Sequence, residues 1–329
     1  MSTLASNSQH TGVDYIDPRA LMRIKSLEMR ARMIVEGFMT GLHRSPYHGF
    51  SVEFTEYRQY TTGDDPRYID WKLYARSDRL HVKRFEDETN VRCWLLVDNS
   101  KSMQFGSITD SSASTTWTKA DYARTLAATF AYFLSTQHDA AGLVTFDEAI
   151  REYLPARYRP GHLRRLMVAL DQPAAGVATS LTAPLRRIAD LVTKRGMHVL
   201  ISDLLAPLDG LETHLGYLRS RGHEVMVFHI LDPAELSLSF DAAAMFQDVE
   251  SGREIYVDPQ TIRGDYQKKL NAHLAAVASI CEGHGIDYHR FTTDQPLEHA
   301  MFDFVSSRMQ TKRSPMRNSS AATSARRPA

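Results

Sequence analysis

Five oxygen-bearing side chains pose the first chemical question. Asp98, Ser100 and Ser102 stand at alternate positions in LLVDNSKS, Thr179 lies in the loop GVATSL, and Asp203 ends LISD. Carboxylates and hydroxyls are hard oxygen donors, the kind that Mg2+ or Mn2+ takes. Magnesium wants about six oxygens and keeps several waters, so few direct protein ligands suffice. Ser100 and Ser102 would coordinate directly, Thr179 directly or through water, and the two carboxylates directly or through bound waters. A cation held in this way stays open on one side, where an acidic side chain of another protein can complete its shell. The same residues also have a plainer use, since Ser100 and Ser102 can cap the next segment and Thr179 or Ser180 can cap a helix opening at Leu181.

The elements that would position these groups read clearly from the periodicity. VRCWLLVD and MHVLISD are short apolar runs ending in a carboxylate, and HEVMVFHILD is a third buried strand. KADYARTLAATFAYFLSTQ, GHLRRLMVALDQ, LTAPLRRIADLVTK and DGLETHLGYLRSRG carry helical spacing, while AAGLVTF and IREYLPA read as two strands joined by a tight turn. FQDVESGREIYVD is expected to form a hairpin at Ser251-Gly252. A long helix from Pro259, the strand IDYHRFTT and a helix at PLEHAMFDFVSSRM follow. Strands apolar throughout and separated by helices indicate a doubly wound α/β domain with a mostly parallel, Rossmann-type sheet. In such sheets ligands bind beyond the carboxyl ends of the strands, where the strand order reverses. The polar insertion SITDSSASTTWT next to Ser102 is long enough to gate that site.

Ahead of this domain, at residues 91–312, the spacing predicts an N-terminal accessory segment over 16–90. It comprises one amphipathic helix from Asp17 (PRALMRIKSLEMRARMIVEGFM) and then extended segments, not another helix, from Arg44 to Glu88. Residues 1–15 and 313–329 are polar and rich in small residues, which predicts disorder.

The spacing of Asp98, Ser100, Ser102, Thr179 and Asp203 resembles the metal-ion-dependent adhesion site of von Willebrand A domains. Ala178 precedes Thr179 where many such loops have glycine, which leaves Ser180 as the alternative loop ligand, and Leu204 follows Asp203 where glycine is common. The ordered blocks RSPYHGFSVEF, RQYTTGDDPRYIDWKLYAR, LHVKRFEDE and LLVDNSKSM resemble a bacterial family known as domain of unknown function fifty-eight, over about Ile16 to Asp203. That resemblance implies a von Willebrand A-like, non-catalytic binding module. It also implies a MoxR-type AAA+ ATPase as partner, with a client protein complex being assembled or matured. Many relatives carry membrane-spanning helices.

Lysine plus arginine and aspartate plus glutamate both total 39, so no global field draws the chain to nucleic acid or an anionic membrane. Two cysteines, Cys93 and Cys281, in apolar stretches suggest neither a disulfide framework nor a zinc site. The opening MSTLASNSQHTG lacks the blocks of a signal peptide and no apolar run approaches the ~20 residues of a membrane span, so the expected location is the cytoplasm. No G-x-x-x-x-G-K-[ST] loop occurs, which assigns any ATP chemistry to a separate chain. Gly63-Asp64-Asp65-Pro66-Arg67 with Asp70, Trp71 and Arg76 reads as an ion-pair network around a turn, and the spacing of His43, His48, His223, His229, His284 and His289 suits no metal. Two other functions remain in play: a magnesium-dependent phosphohydrolase with Asp98 as nucleophile, and a scaffold that holds no metal.

Overall fold

The computed structural model describes residues 15–44, 57–61, 71–77, 79–83, 91–110, 115–173, 181–192, 194–205, 207–240, 243–247 and 253–313. The chain forms two compact units, Met1–Phe38 together with Val91–Ala329, and Met39–Asn90.

The single helix expected from Asp17 is two helices, α1 (Pro18–Met22) and α2 (Leu27–Arg44). Asp17 caps α1 by accepting from the Arg19 amide, and Ser26 Oγ accepts from the Met29 amide at the start of α2. The intervening turn is fixed by Arg30, whose Nε donates to the Ile24 carbonyl at 2.6 Å. Two polar caps close together thus outweigh a continuous apolar stripe. In the smaller unit β1 (Tyr57–Gln59) pairs antiparallel with β2 (His81–Lys83), and α3 (Trp71–Ser77) lies between them in sequence. That helix corrects the expectation of extended chain alone, because WKLYARS has no glycine, proline or β-branched residue and four good helix formers. The charged turn at Gly63–Asp70 and the Ser251-Gly252 turn lie outside the described residues.

In the larger unit the expected series appears, together with a small hairpin after the first strand and a short helix after Asp232 that the sequence reading did not include. It runs β3 (Arg92–Asp98), the small hairpin β4 (Ile108–Asp110) and β5 (Thr115–Trp117), α4 (Lys119–Thr136), β6 (Ala140–Phe146), β7 (Ile150–Arg157), α5 (His162–Leu170) and α6 (Thr182–Leu191). Then come β8 (Met197–Ser202), α7 (Leu211–Ser220), β9 (Glu224–Leu231), α8 (Pro233–Ser237), the antiparallel pair β10 (Ala244–Gln247) and β11 (Glu254–Val257), α9 (Pro259–Gly283), β12 (Asp287–Thr292) and α10 (Leu297–Arg313).

The central sheet has the order β12-β9-β8-β3-β6-β7, parallel except for the antiparallel edge strand β7. This is the expected doubly wound α/β architecture with a mostly parallel sheet. From β3 the chain moves through α4 to β6 on one side, and it later returns to β8 on the other side of β3. The strand order therefore reverses between β3 and β8, and their carboxyl ends border a crevice. Helices cover both faces. Leu185 and Ile188 of α6, Leu215 of α7 and Val277 of α9 pack with Trp94, Leu96, Leu200 and Val227, all fully or nearly buried. On α4, Phe130 stacks on Phe304 of α10 at 4.4 Å and leans on Phe228 of β9 at 5.2 Å. Each such side chain contributes roughly 1.5–3 kcal/mol by leaving water, which makes the sheet a rigid base for the loops at its end.

Candidate functional site

Asp98 is the last residue of β3 and has no exposed surface. Its Oδ1 accepts from the Ser100 amide at 2.9 Å and its Oδ2 from Ser202 Oγ, at the end of β8, at 2.6 Å. The parallel register that sets Val97 opposite Ile201 brings these two strand ends together. Ser100 is buried as well, and its hydroxyl lies 3.0 Å from that of Ser102, which opens a short 3-10 turn. Burial, and then the nearby Asp203 carboxylate, push the Asp98 carboxyl up to about 7. Burial and a second carboxylate both disfavour the charged form, a cost that a proton or a nearby cation relieves.

Asp203 is also fully buried, and its surroundings are closed from several directions. Its Oδ1 accepts from the Leu205 amide at 3.2 Å, and its main-chain carbonyl accepts from His229 Nε2 at 2.6 Å. The other nitrogen of His229 accepts from the Tyr288 hydroxyl at 2.8 Å, and burial lowers the imidazole to about 4, so the ring is neutral at pH 7. Leu204 follows in the left-handed region, with φ of 50°. That is a conformation glycine adopts at no steric cost and other residues rarely do. Here a leucine is held in it because its amide donates to Ser202 Oγ at 3.0 Å and its carbonyl accepts from His273 Nε2 at 2.9 Å.

The charge opposite Asp203 is Lys119, the first residue of α4. Its ammonium donates to Asp203 Oδ2 at 2.8 Å and to Glu235 Oε1, from α8, at 2.5 Å. Burial works against this ammonium, but the two carboxylates outweigh it and raise its pKa above the ordinary lysine value. Glu235 is fixed by a capping box, since its Oε2 accepts from the Asp232 amide at 2.9 Å while Asp232 caps the same helix. Asp232, also buried, accepts from the Ser107 amide at 2.9 Å, from Ser107 Oγ at 2.5 Å and from Thr293 Oγ1 at 3.1 Å. The base of the polar insertion is thereby fastened to the ends of β9 and β12.

Of the five donors expected from sequence, Asp98, Ser100 and Ser102 are gathered at one point, and Asp203 is within electrostatic reach but engaged by Lys119. Thr179 and its alternative Ser180 lie outside the described residues. Among the described residues no group of three or more His, Cys, Asp or Glu side chains is placed to hold a metal. A cation here would be held by a mixture of carboxylate and hydroxyl, a donor set that suits Mg2+ or Mn2+ better than a softer metal. Sequence reading did not find Lys119, Ser202 or Glu235, and it weighed His229 only as a metal ligand. One signal was present: a lysine at the first position of a helix opposes the macrodipole, so its placement there asks for a buried partner.

The model of the family described as "Protein of unknown function DUF58" matches residues 56–276. The chain belongs to this family. This DUF58 chain is 30% identical over 300 residues to an uncharacterized protein of Mycobacterium tuberculosis, covering 90% of this chain and 92% of that protein. A second uncharacterized relative, from Mycobacterium avium, is 34% identical over 144 residues, or 40% of this chain and 83% of that one. Among solved structures, conserved hypothetical protein BatB from Bacteroides thetaiotaomicron aligns with 67% of this chain and 99% of its own length, at 13% identity and a TM-score of 0.44. The SpRpn10 VWA domain aligns with 64% of this chain and 94% of its own, at 12% identity and a TM-score of 0.35. No helix among the described residues is long and apolar enough to cross a membrane.

Proposed function

We propose that this DUF58 chain is a non-catalytic, cytoplasmic binding module whose working face is the crevice between the ends of β3 and β8. Asp98, Ser100 and Ser102 would hold Mg2+ or Mn2+ there, with Thr179 or Ser180 as loop ligand and Asp203 acting at a distance through water. The ion would supply a Lewis-acidic point for the carboxylate of a partner protein. The partner is a MoxR-type AAA+ ATPase, and the pair would assemble or mature a client complex. The observation that carries this reading is a buried carboxylate at the topological switch point with two hydroxyls 3.0 Å apart beside it.

The phosphohydrolase reading gains nothing from the geometry. The ammonium that would serve a phosphoryl group is held between Asp203 and Glu235.

The test is the affinity of the full chain for a MoxR-type AAA+ ATPase from the same genome, by biolayer interferometry, for wild type and Ser100→Ala/Ser102→Ala. Magnesium stays in the buffer throughout, because the ATPase needs it for its own nucleotide. The variant should bind at least about tenfold more weakly, a loss of about 1.4 kcal/mol. Equal affinities would sink the reading.

A further inference from the structure

Lys119 occupies a position that general physics disfavours on two counts. A cation at a helix N-terminus opposes the macrodipole, and a fully buried ammonium is costly unless well paired. Its side chain nevertheless has no exposed surface and meets two carboxylates, Asp203 at 2.8 Å and Glu235 at 2.5 Å. Three elements converge to build this arrangement: the start of α4, the residue after β8, and α8, whose capping box aims Glu235. Asp203 is pinned in addition through Leu205 and His229, so it cannot turn toward another ion without unpairing the ammonium.

We propose that Lys119 is the resident cation of the crevice: its ammonium, and not a divalent metal, is the counter-charge of Asp203. The inference deepens the metal-binding reading above and rests on it. A divalent ion at Asp98, Ser100 and Ser102 then has one protein carboxylate, not two. Affinity for divalent ions rises with the number of charged ligands. The chain alone therefore holds Mg2+ or Mn2+ weakly, and the acidic group of a partner supplies the second charge. The lysine thus couples metal occupancy to partner binding.

The experiment frees Asp203 and reads metal affinity directly, by electron paramagnetic resonance titration of Mn2+ against the full chain. Lys119→Met/Glu235→Gln removes one ammonium and one carboxylate together, so the group changes from one positive and two negative charges to Asp203 alone, and the net charge of −1 is kept. This double variant should bind Mn2+ at least about tenfold tighter than wild type, and adding Asp203→Asn should abolish the gain. A double variant that binds no tighter than a wild type that does bind overturns the inference and leaves the metal reading standing. Absence of Mn2+ binding in both proteins overturns the metal reading and this inference with it. If the double variant does not fold, Lys119→Gln/Glu235→Gln keeps the same charge balance with polar side chains in place and decides by the same readout: Mn2+ binding about tenfold tighter than wild type supports the lysine as counter-charge, and affinity equal to wild type overturns it.

Discussion

His198, in the middle of β8, shows how much a single buried residue can impose. It stacks on Trp94 at 5.3 Å and meets the edge of His223 at 4.6 Å, and neither ring nitrogen has a hydrogen-bond partner among the described residues. Burial, and then the neighbouring His223, lower it from 6.5 to about 3. A depressed histidine binds its proton less readily in the folded state than in the unfolded one. Its contribution is fully present above pH 6.5 and is lost as the pH falls from there toward 3. At about pH 5 the expected cost is about 2 kcal/mol. Urea midpoints at about pH 7.5 and about pH 5 should therefore lie closer together in His198→Phe than in wild type, and an unchanged gap would show that His198 does not titrate with folding. At this scale the sequence was informative where chemistry is local. Asp98, Ser100 and Ser102 sit within one turn and could be grouped on sight. Lys119 and Asp203 are 84 positions apart, so their pairing depends on which strand lies next to β3.

The polar insertion between β3 and α4 is held more firmly at its base than its composition suggests. A stretch such as SITDSSASTTWT suggests a mobile gate, yet its base is clamped. Ser107 is tied to Asp232, Arg23 Nε donates to Asp110 Oδ2 at 3.0 Å, and Trp117 is 2% exposed with the Arg30 guanidinium over its ring at 5.4 Å. Gly106 permits this closure, because a Cβ there would stand 2.2 Å from the Trp117 carbonyl oxygen and 2.8 Å from Thr118 Cα, both main-chain atoms. The Lys119 amide donates to the Phe105 carbonyl at 2.9 Å, so any shift at Gly106 reaches the lysine. Gly106→Ala should cost about 2 kcal/mol or more and raise amide hydrogen exchange over residues 105–119. Exchange identical to wild type would mean that the insertion does not depend on this close approach. Polar composition hid the clamp because its partners, Asp232 and Arg23, come from the residue after β9 and from the C-cap of α1.

For the whole molecule, alternation between apolar runs and helical spacing was enough to read the parallel sheet, since strands covered on both faces cannot be polar on either. The break between α1 and α2 and the short helix α3 were not read, because caps and propensity act over four or five residues and are overruled by longer patterns in a window. The positions of β3 and β8 as neighbours follow from a chain that reverses its direction of travel, which no local window reports. That reversal creates the crevice where the account places its cation. The most direct measurement is the Mn2+ titration of wild type against Ser100→Ala/Ser102→Ala, followed by electron paramagnetic resonance and competed with Mg2+. The account expects one weak, magnesium-competed site per chain in the wild type and its loss in the variant; superimposable titrations would contradict it.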